Sequence, residues 1–460
     1  MKKSAAIVSA KAIRTLGTVL GKKGTALPGL VAEKIDSHLL AKLKKGNFAK
    51  GIVVVTGTNG KTTTAKMLAD ILGSSGMSYI RNTAGSNLRR GIISTILAEC
   101  DSKGRCKQEM AIFEVDEAYV PGVCAELQPD VVVVTNLFRD QLDRYGELDS
   151  IASNFTKTFS SIKTNLVLNA DDPLVASLGR ESSNKVCYFG ISDYSGETIE
   201  HDHTADSIFD INTGKKLQYS QRYFGHMGIY RSDSSNTVRP TPSIDLIKMT
   251  KFTKEKSEFV VNITTKDQKM TLNLPGLYNI YNALAATGAA SALGIDSEVI
   301  AKSISQVKSA FGRGELLPYQ DKCLQLVLFK NPTGFNQVIQ TYLKPKPQTT
   351  PLMISVNDNI ADGKDVSWLW DSALEDIADY QGKIVVSGLR ALDMALRLKY
   401  AGLDMGLVTI EPDHQKAIEI LLATTPKGES SYVLATYTSM LGIRSLITKN
   451  SGHGVKDINQ

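Results

Sequence analysis

At 460 residues, with 42% hydrophobic and 22% charged residues, the chain has enough apolar mass for two or three domain cores, and no internal repeat or low-complexity tract interrupts it. No stretch approaches the roughly 20 consecutive apolar residues that span a bilayer. Five scattered cysteines (Cys100, Cys106, Cys124, Cys187, Cys323) argue against a disulfide framework and for a reducing compartment.

The net charge of +6 is concentrated at the start, where residues 1–50 hold eleven Lys or Arg against Glu33 and Asp36. The opening MKKSAAIVSAKAIRTLGTVLGKK is basic like a signal peptide, but Lys11 and Arg14 break its apolar run and no small-residue cleavage site follows, so the expected compartment is the cytoplasm. This lead-in, residues 1–45, suits an anionic surface at the inner face of a membrane, a polyphosphate ligand, or simply a solvated helix face. Over 30–45, Leu30, Ile35, Leu39, Leu40 and Leu43 share one face of a predicted helix.

GIVVVT at 51–56 reads as a buried strand, followed by a glycine-containing turn and the helical pattern KTTTAKMLADILGSSG. The apolar runs MAIFEV (110–115), VVVVTNL (131–137) and NLVLNA (165–170) alternate with helical stretches, which predicts a parallel sheet wrapped by helices. Between about 188 and 245 the pattern gives way to polar, aromatic and turn-rich sequence, read as an insertion. Short strands return at SEFVVNITT and KMTLNL, and LPGLYNIYNALAATGAASALG (274–294) reads as a long Ala-rich helix. LQLVLF, PLMISVN and GKIVVSG then read as strands and ALDMALRLKYAG as a helix, giving a second α/β domain. The expected organisation is a lead-in (1–45), a central domain (46–312) and a C-terminal domain (313–460).

The most informative segment is Gly57, Thr58, Asn59, Gly60, Lys61, Thr62 and Thr63, placed between a strand and a helix. Glycines there let backbone N–H groups approach an anion, and the helix N-terminus adds partial positive charge. Lys61 would reach the β- and γ-phosphates of ATP, and the Thr62 hydroxyl would ligate Mg²⁺. The strict phosphate-loop pattern has glycine where Val55 stands, yet the strand–GTNGKTT–helix context is specific. Glu114 ends a buried strand in FEVDEA, where a carboxylate faces the ligand crevice of a parallel sheet, with Asp116 and Glu117 following.

GTNGKTT resembles the nucleotide loop of the Mur ligases and folylpolyglutamate synthases. That resemblance implies an α/β fold: a Mur-ligase-type central parallel-sheet ATPase domain plus a C-terminal Rossmann-like domain. It implies chemistry in which ATP converts a carboxylate to an acyl phosphate that an amine then attacks. It assigns Glu114 to Mg²⁺, the pair Asn279 and Asn282 to the adenine edge, and Arg313 in FGRGE to the nucleotide near the hinge between domains. Taken alone, two Asn near a helix start are more often caps.

Longer motifs narrow the family. TNLFRDQLDRYGEL (135–148), KNPTGFNQV (330–338), NDNIADGKDVSWLWD (357–371), GLRALDMALRLKYAGL (388–403) and TYTSMLGIR (436–444) together resemble the MurT family, from about Gly24 to about Arg444. The resemblance implies a synthetase subunit that activates the α-carboxyl of D-isoglutamate in the lipid II stem peptide for amidation to D-isoglutamine. Ammonia would come from a GatD-like glutaminase partner, because neither Cys124 in PGVCAEL nor any other cysteine sits in a nucleophile's glycine elbow. In that family the C-terminal domain docks the glutaminase and lends an Asp to its Cys–His pair. Asp365 is the first candidate for this role, with Asp362 and Asp358 behind it.

Two departures from the pattern carry consequences. Amino-acid-adding Mur ligases use a His where this chain has Gln141, and a carbamylated Lys near the position of Phe155, with Lys157 the closest lysine; one firm Mg²⁺ is expected. Relatives also carry a four-cysteine zinc ribbon in the insertion, around an RYFGH-like stretch. This chain keeps Arg222, Tyr223, Phe224, Gly225 and His226 but has Asp210, Thr213, Ser232 and Ser235 at the four ligand positions. No zinc is expected, since hydroxyls do not replace thiolates and His201, His203 and His226 lack a paired spacing. The insertion is expected to hold together by packing its aromatics. The alternatives are an amino-acid-adding ligase of the Mur or folate type, and a nucleotide-binding scaffold, which would lack Lys61, Thr62 or Glu114.

Overall fold

The apolar runs legible in the sequence form the middle of a nine-stranded sheet. The computed structural model describes residues 2–19, 26–82, 86–139, 148–180, 182–194, 205–307, 312–345 and 348–450. In chain order the strands of this sheet are β1 (Gly51–Thr56), β2 (Tyr79–Arg81), β3 (Met110–Glu114), β4 (Val131–Val134), β5 (Asn165–Asn169), β6 (Lys185–Ile191), then, after a separate hairpin of β7 (Gln218–Phe224) and β8 (Met227–Arg231), β9 (Ile244–Phe252), β10 (Ser257–Ile263) and β11 (Lys266–Leu272). Their spatial order is β11-β10-β9-β6-β5-β4-β1-β3-β2. Neighbours from β9 to β2 run parallel, and β10 and β11 complete one edge as antiparallel strands.

Every residue of β1, β3 and β4 is buried, because helices cover both faces of the sheet. Alternate residues serve two cores. Val53 and Val55 join Met67, Ile71, Ala283 and Ala286 on one face, while Ile52 and Val54 join Leu40, Ile93, Val123 and Phe155 on the other. Burying each such side chain contributes about 1.5–3 kcal/mol.

The lead-in belongs to the second of these cores. A helix over Lys2–Val19 buries Ala6, Ile7 and Ala10, and Lys11 Nζ donates to the Cys100 carbonyl. The single helix predicted over 30–45 is two helices, Leu27–Ile35 and Leu39–Lys44. Asp36 breaks it: its carboxylate accepts from the His38 N–H at 3.2 Å and from Lys42 Nζ at 2.8 and 2.6 Å, which favours a turn over a continued helix. No helix among the described residues is long and apolar enough to cross a membrane.

The C-terminal sheet contains β12 (Arg313–Tyr319), β13 (Lys322–Leu328), β14 (Leu352–Ser355), β15 (Ile384–Ser387), β16 (Val408–Ile410) and β17 (Ser430–Ala435), in the order β12-β13-β17-β14-β15-β16. It is parallel except for the β12–β13 pair. The segment 188–245, where sequence periodicity fails, contributes the end of β6, the β7–β8 hairpin and the start of β9.

Candidate active site

β1 lies between β3 and β4, and the connections leaving β1 and β4 run in opposite directions across the sheet. A crevice opens at such a point beyond the strand ends, and the loop Gly57–Thr63 fills it. Gly57 and Gly60 have φ of 120° and 90°. A methyl group on Gly57 would lie 2.3 Å from Thr135 Oγ1, and one on Gly60 would lie 2.1 Å from Asn282 Oδ1. Both positions therefore need glycine for conformation and for space.

The loop is clamped from the β4 side. The Thr58 N–H donates to the Asn136 carbonyl and the Asn59 N–H to Asn136 Oδ1, each at 2.9 Å. Thr135 Oγ1 donates to the Asn59 carbonyl at 2.7 Å. The helix Lys61–Ser74 begins at Gly60 with no side-chain cap, so its first-turn N–H groups are presented to the crevice. Lys61 Nζ donates to the Gly57 carbonyl and lies 3.1 Å from Glu117 Oε2, with both side chains buried. Thr62 Oγ1 donates to Glu114 Oε2 at 2.8 Å. Glu114 is oriented by Asn82, which accepts from its N–H at 2.8 Å and donates to its carbonyl at 2.9 Å. A hydroxyl and a carboxylate in contact beside a phosphate-type loop are the hard oxygen donors that Mg²⁺ takes, so these residues fit that ion. Phe155 is fully buried in apolar surroundings and Lys157 is exposed.

Asn279 and Asn282 are buried on the helix Leu277–Ala292. Asn279 Nδ2 donates to the Pro275 carbonyl at 2.7 Å, and Asn282 Oδ1 sits against Gly60 and within 3.4 Å of Thr64 Oγ1. Asn282 thus packs directly on the Gly57–Thr63 loop. The backbone of Arg313 pairs with Val327 at the start of β12; its side chain, like Gln141, His201 and His203, lies outside the described residues. The C-terminal domain reaches the loop through Asn331, which caps the helix Pro332–Val338 and whose Nδ2 donates to Asn59 Oδ1 at 3.2 Å.

Several residues of this site were not singled out from the sequence: Asn82, Thr135, Asn136 and Asn331; Glu117 was named only as following Glu114. The available signal was position, since Thr135 and Asn136 directly follow a buried strand adjacent to β1.

The three C-terminal acids differ sharply. Asp362 is buried and caps the helix Tyr437–Asn450, accepting from the Thr438 N–H at 2.8 Å. Asp358 accepts from Arg390 Nη2 at 2.7 Å. Asp365 is half-exposed and accepts from the Ser367 N–H at 2.8 Å. Beside this loop, Leu392, Leu396 and Tyr400 project from one face of the helix Ala391–Tyr400, with Ile360 and Leu389 nearby; Ile360 is 84% and Leu392 72% exposed. Burial pushes all five cysteine thiols up, Cys106 and Cys124 to about 12, which leaves them protonated and poor nucleophiles.

In the insertion, Asp210, Thr213, Ser232 and Ser235 do converge, around a carboxylate. Asp210 Oδ2 accepts from Ser235 at 2.5 Å, Ser232 at 2.8 Å and Thr213 at 3.0 Å, and Oδ1 accepts from Thr237 at 3.0 Å and the Asn212 N–H at 3.1 Å. Burial alone would push this carboxyl up, but the bonds from Ser235, Ser232, the Asn212 N–H and Thr213 overcome it and hold it well below the usual range. Aromatic packing is therefore only part of what holds the insertion. Among the described residues no group of three or more His, Cys, Asp or Glu is arranged to hold a metal ion.

Residues 55–230 match the Mur ligase middle domain and residues 328–440 the MurT ligase C-terminal family. The chain is 33% identical to the lipid II isoglutaminyl synthase (glutamine-hydrolyzing) subunit MurT of Streptococcus pneumoniae, over 94% of this chain and 96% of that one. It is 33% identical to the subunit of the same name from Staphylococcus aureus, over 91% and 92%. Its fold resembles that of a pseudomurein peptide ligase type C from Methanothermus fervidus, with a TM-score of 0.66 over 88% of this chain and 80% of that one at 23% identity.

Replacing Asp210 by Asn turns one acceptor into a donor among hydroxyls that already donate, and Asp210→Asn is expected to cost about 2 kcal/mol at pH 7. Because the folded carboxyl is held low, its contribution is complete above the unfolded value of about 4 and is lost as pH falls below that. Thermal melts should therefore separate wild type and variant at pH 7 and converge in acid, and a chelator should leave the wild-type melt unchanged. Equal melting at pH 7 refutes the role of Asp210.

Proposed function

The chain belongs to the MurT family of Mur-ligase-type subunits, and we propose that it uses ATP to activate the α-carboxyl of D-isoglutamate in the lipid II stem peptide for amidation. The observation that carries this reading is the placement of Lys61, Thr62 and Glu114 together at an uncapped helix N-terminus. The first-turn N–H groups and Lys61 would hold the β- and γ-phosphates, with Glu117 holding the Lys61 side chain along the loop. Thr62 and Glu114 would hold Mg²⁺, which neutralises the charge that develops on the phosphoryl oxygens. The substrate carboxylate attacks the γ-phosphorus, the bond to ADP breaks, and an acyl phosphate forms. Ammonia then attacks the carbonyl carbon, phosphate leaves, and the amide nitrogen loses a proton. Lys61 acts by offsetting negative charge through the first step.

The nitrogen source in this reading is a separate GatD-like glutaminase. The five protonated thiols support it, and the relatives named above are themselves called subunits. Asp365 is the acid best placed to reach across to a partner, because Asp362 is committed to a helix cap and Asp358 to Arg390. A carboxylate on the far nitrogen of a catalytic imidazole fixes its tautomer and stabilises the imidazolium. The apolar face of Leu392, Leu396 and Tyr400 supplies the adjoining docking surface, since exposed apolar clusters of this kind mark association sites. The helix Lys2–Val19, with Val8 and Leu16 exposed, supports a contact with the inner face of the membrane where a lipid-linked acceptor would lie.

Lys61→Ala is expected to lower amidation about a thousandfold with glutamine or with ammonium salt as donor, while leaving the fold intact. Turnover at the wild-type level would refute the phosphate-loop assignment, and turnover with amino acids in place of ammonia would favour the amino-acid-adding alternative.

Asp365→Asn should remove glutamine-driven amidation by at least about a hundredfold, spare the ammonium-driven reaction, and leave co-purification with the glutaminase unchanged. Leu392→Asp should instead abolish co-purification. Equal loss with both nitrogen sources for Asp365→Asn would place that residue in substrate binding or domain closure.

A further inference from the structure

The turn joining β7 and β8, Gly225–His226, is buried where a hairpin tip ordinarily meets solvent. His226 is fully buried, with Phe224 and Met227 beside it. The imidazole lies 4.3 Å from the Phe138 ring, centroid to centroid, and its Nε2 is 3.2 Å from Asp172 Oδ2. That same carboxylate oxygen accepts from the Leu137 N–H at 2.8 Å. Phe138 also stacks on Phe224 at 6.1 Å, and Phe224 meets Tyr281 edge-on at 5.8 Å.

These contacts lead to the phosphate loop by two routes. Phe138 holds Thr58 through its backbone, its N–H donating to Thr58 Oγ1 and its carbonyl accepting from it, both at 3.0 Å. Tyr281 lies on the helix that carries Asn282, whose amide packs against Gly60. Tyr281 is itself fixed, with its hydroxyl donating to Asp171 Oδ2 at 2.6 Å. The hairpin tip therefore touches the elements on both sides of the loop.

We propose that His226 is a positioning residue for the nucleotide site: with Phe224 it forms a wedge that sets loop 135–138 against the helix Leu277–Ala292 and so fixes the span of the phosphate loop between Thr58 and Gly60. The proposal rests on reading that loop as the ATP site. His226 touches no reacting atom. It acts on binding geometry shared by ground state and transition state, so its loss weakens ATP binding without slowing the bound complex. A purely structural contribution would instead reduce the folded, active fraction and lower kcat at constant KM.

The test uses the full chain with ammonium salt as nitrogen donor, measuring KM and kcat for ATP and, by calorimetry, Kd for ATP. His226→Ala is expected to raise KM and Kd about tenfold with kcat within about twofold. His226→Gln keeps a polar planar group of similar reach beside Asp172 and Phe138 and should return both to within about threefold of wild type. Should His226→Ala fail to fold, Phe138→Leu, which keeps an apolar side chain and removes the ring contacts, is expected to raise KM and Kd at least about threefold. Unchanged KM and Kd in folded His226→Ala, or in folded Phe138→Leu, overturn the wedge. Absence of ATP binding by the wild-type chain would overturn the nucleotide reading itself, a result distinct from ATP binding that these substitutions leave untouched.

Discussion

The contact between Gly60 and Asn282 is the constraint on which the site depends. A phosphate loop must present bare backbone N–H groups, so it cannot satisfy itself internally and must be held from outside. Here the hold comes from three directions: Thr135 and Asn136 after β4, Asn282 on the helix Leu277–Ala292, and Asn331 from the C-terminal domain. A Cβ at position 60 would lie 2.1 Å from Asn282 Oδ1, and the φ of 90° there also favours glycine. The parallel sheet makes this possible by delivering several strand ends and a helix start to one crevice.

Buried aspartates do much of the remaining organisation. Asp171 accepts from Arg239, Tyr281 and the Ile191 N–H, tying β5, the insertion and the helix Leu277–Ala292 into one network. Asp172 receives the Leu137 N–H and faces His226, Asp210 gathers four hydroxyls, and Asp362 caps the last described helix. Each is a short, stiff acceptor that satisfies several donors at once, which is what a loop needs when it leaves a strand and finds no ladder partner. The Asp210 cluster has the convergent arrangement of a metal knuckle, yet the hydroxyls all donate and the centre is anionic, so charge and donor count replace coordination.

The candidate site draws on both domains. Lys61, Thr62 and Glu114 lie together in the central domain, while the C-terminal domain contributes Asn331 to the loop and carries the half-exposed Asp365 near an apolar helix face.

The loop Gly57–Thr63, its strand and its helix were legible in the sequence because they are local: GIVVVT, GTNGKTT and the helical pattern after them are contiguous, and glycine spacing reports backbone requirements directly. The alternation of apolar runs likewise determined two α/β domains. Thr135, Asn136, Asn82 and Asn331 were not legible, because each reaches the site from a different strand end or from the other domain, and only the crossing pattern of the sheet decides that they meet. Asp365 was already ranked ahead of Asp362 and Asp358 from the sequence, but that Arg390 and Thr438 engage Asp358 and Asp362 was beyond it, since those partners lie far along the chain. At Asp210 the sequence showed that thiolates were missing and predicted aromatic packing. It could not show that a carboxylate fills the centre, because hydrogen bonds between residues 210 and 235 exist only once the hairpin has closed.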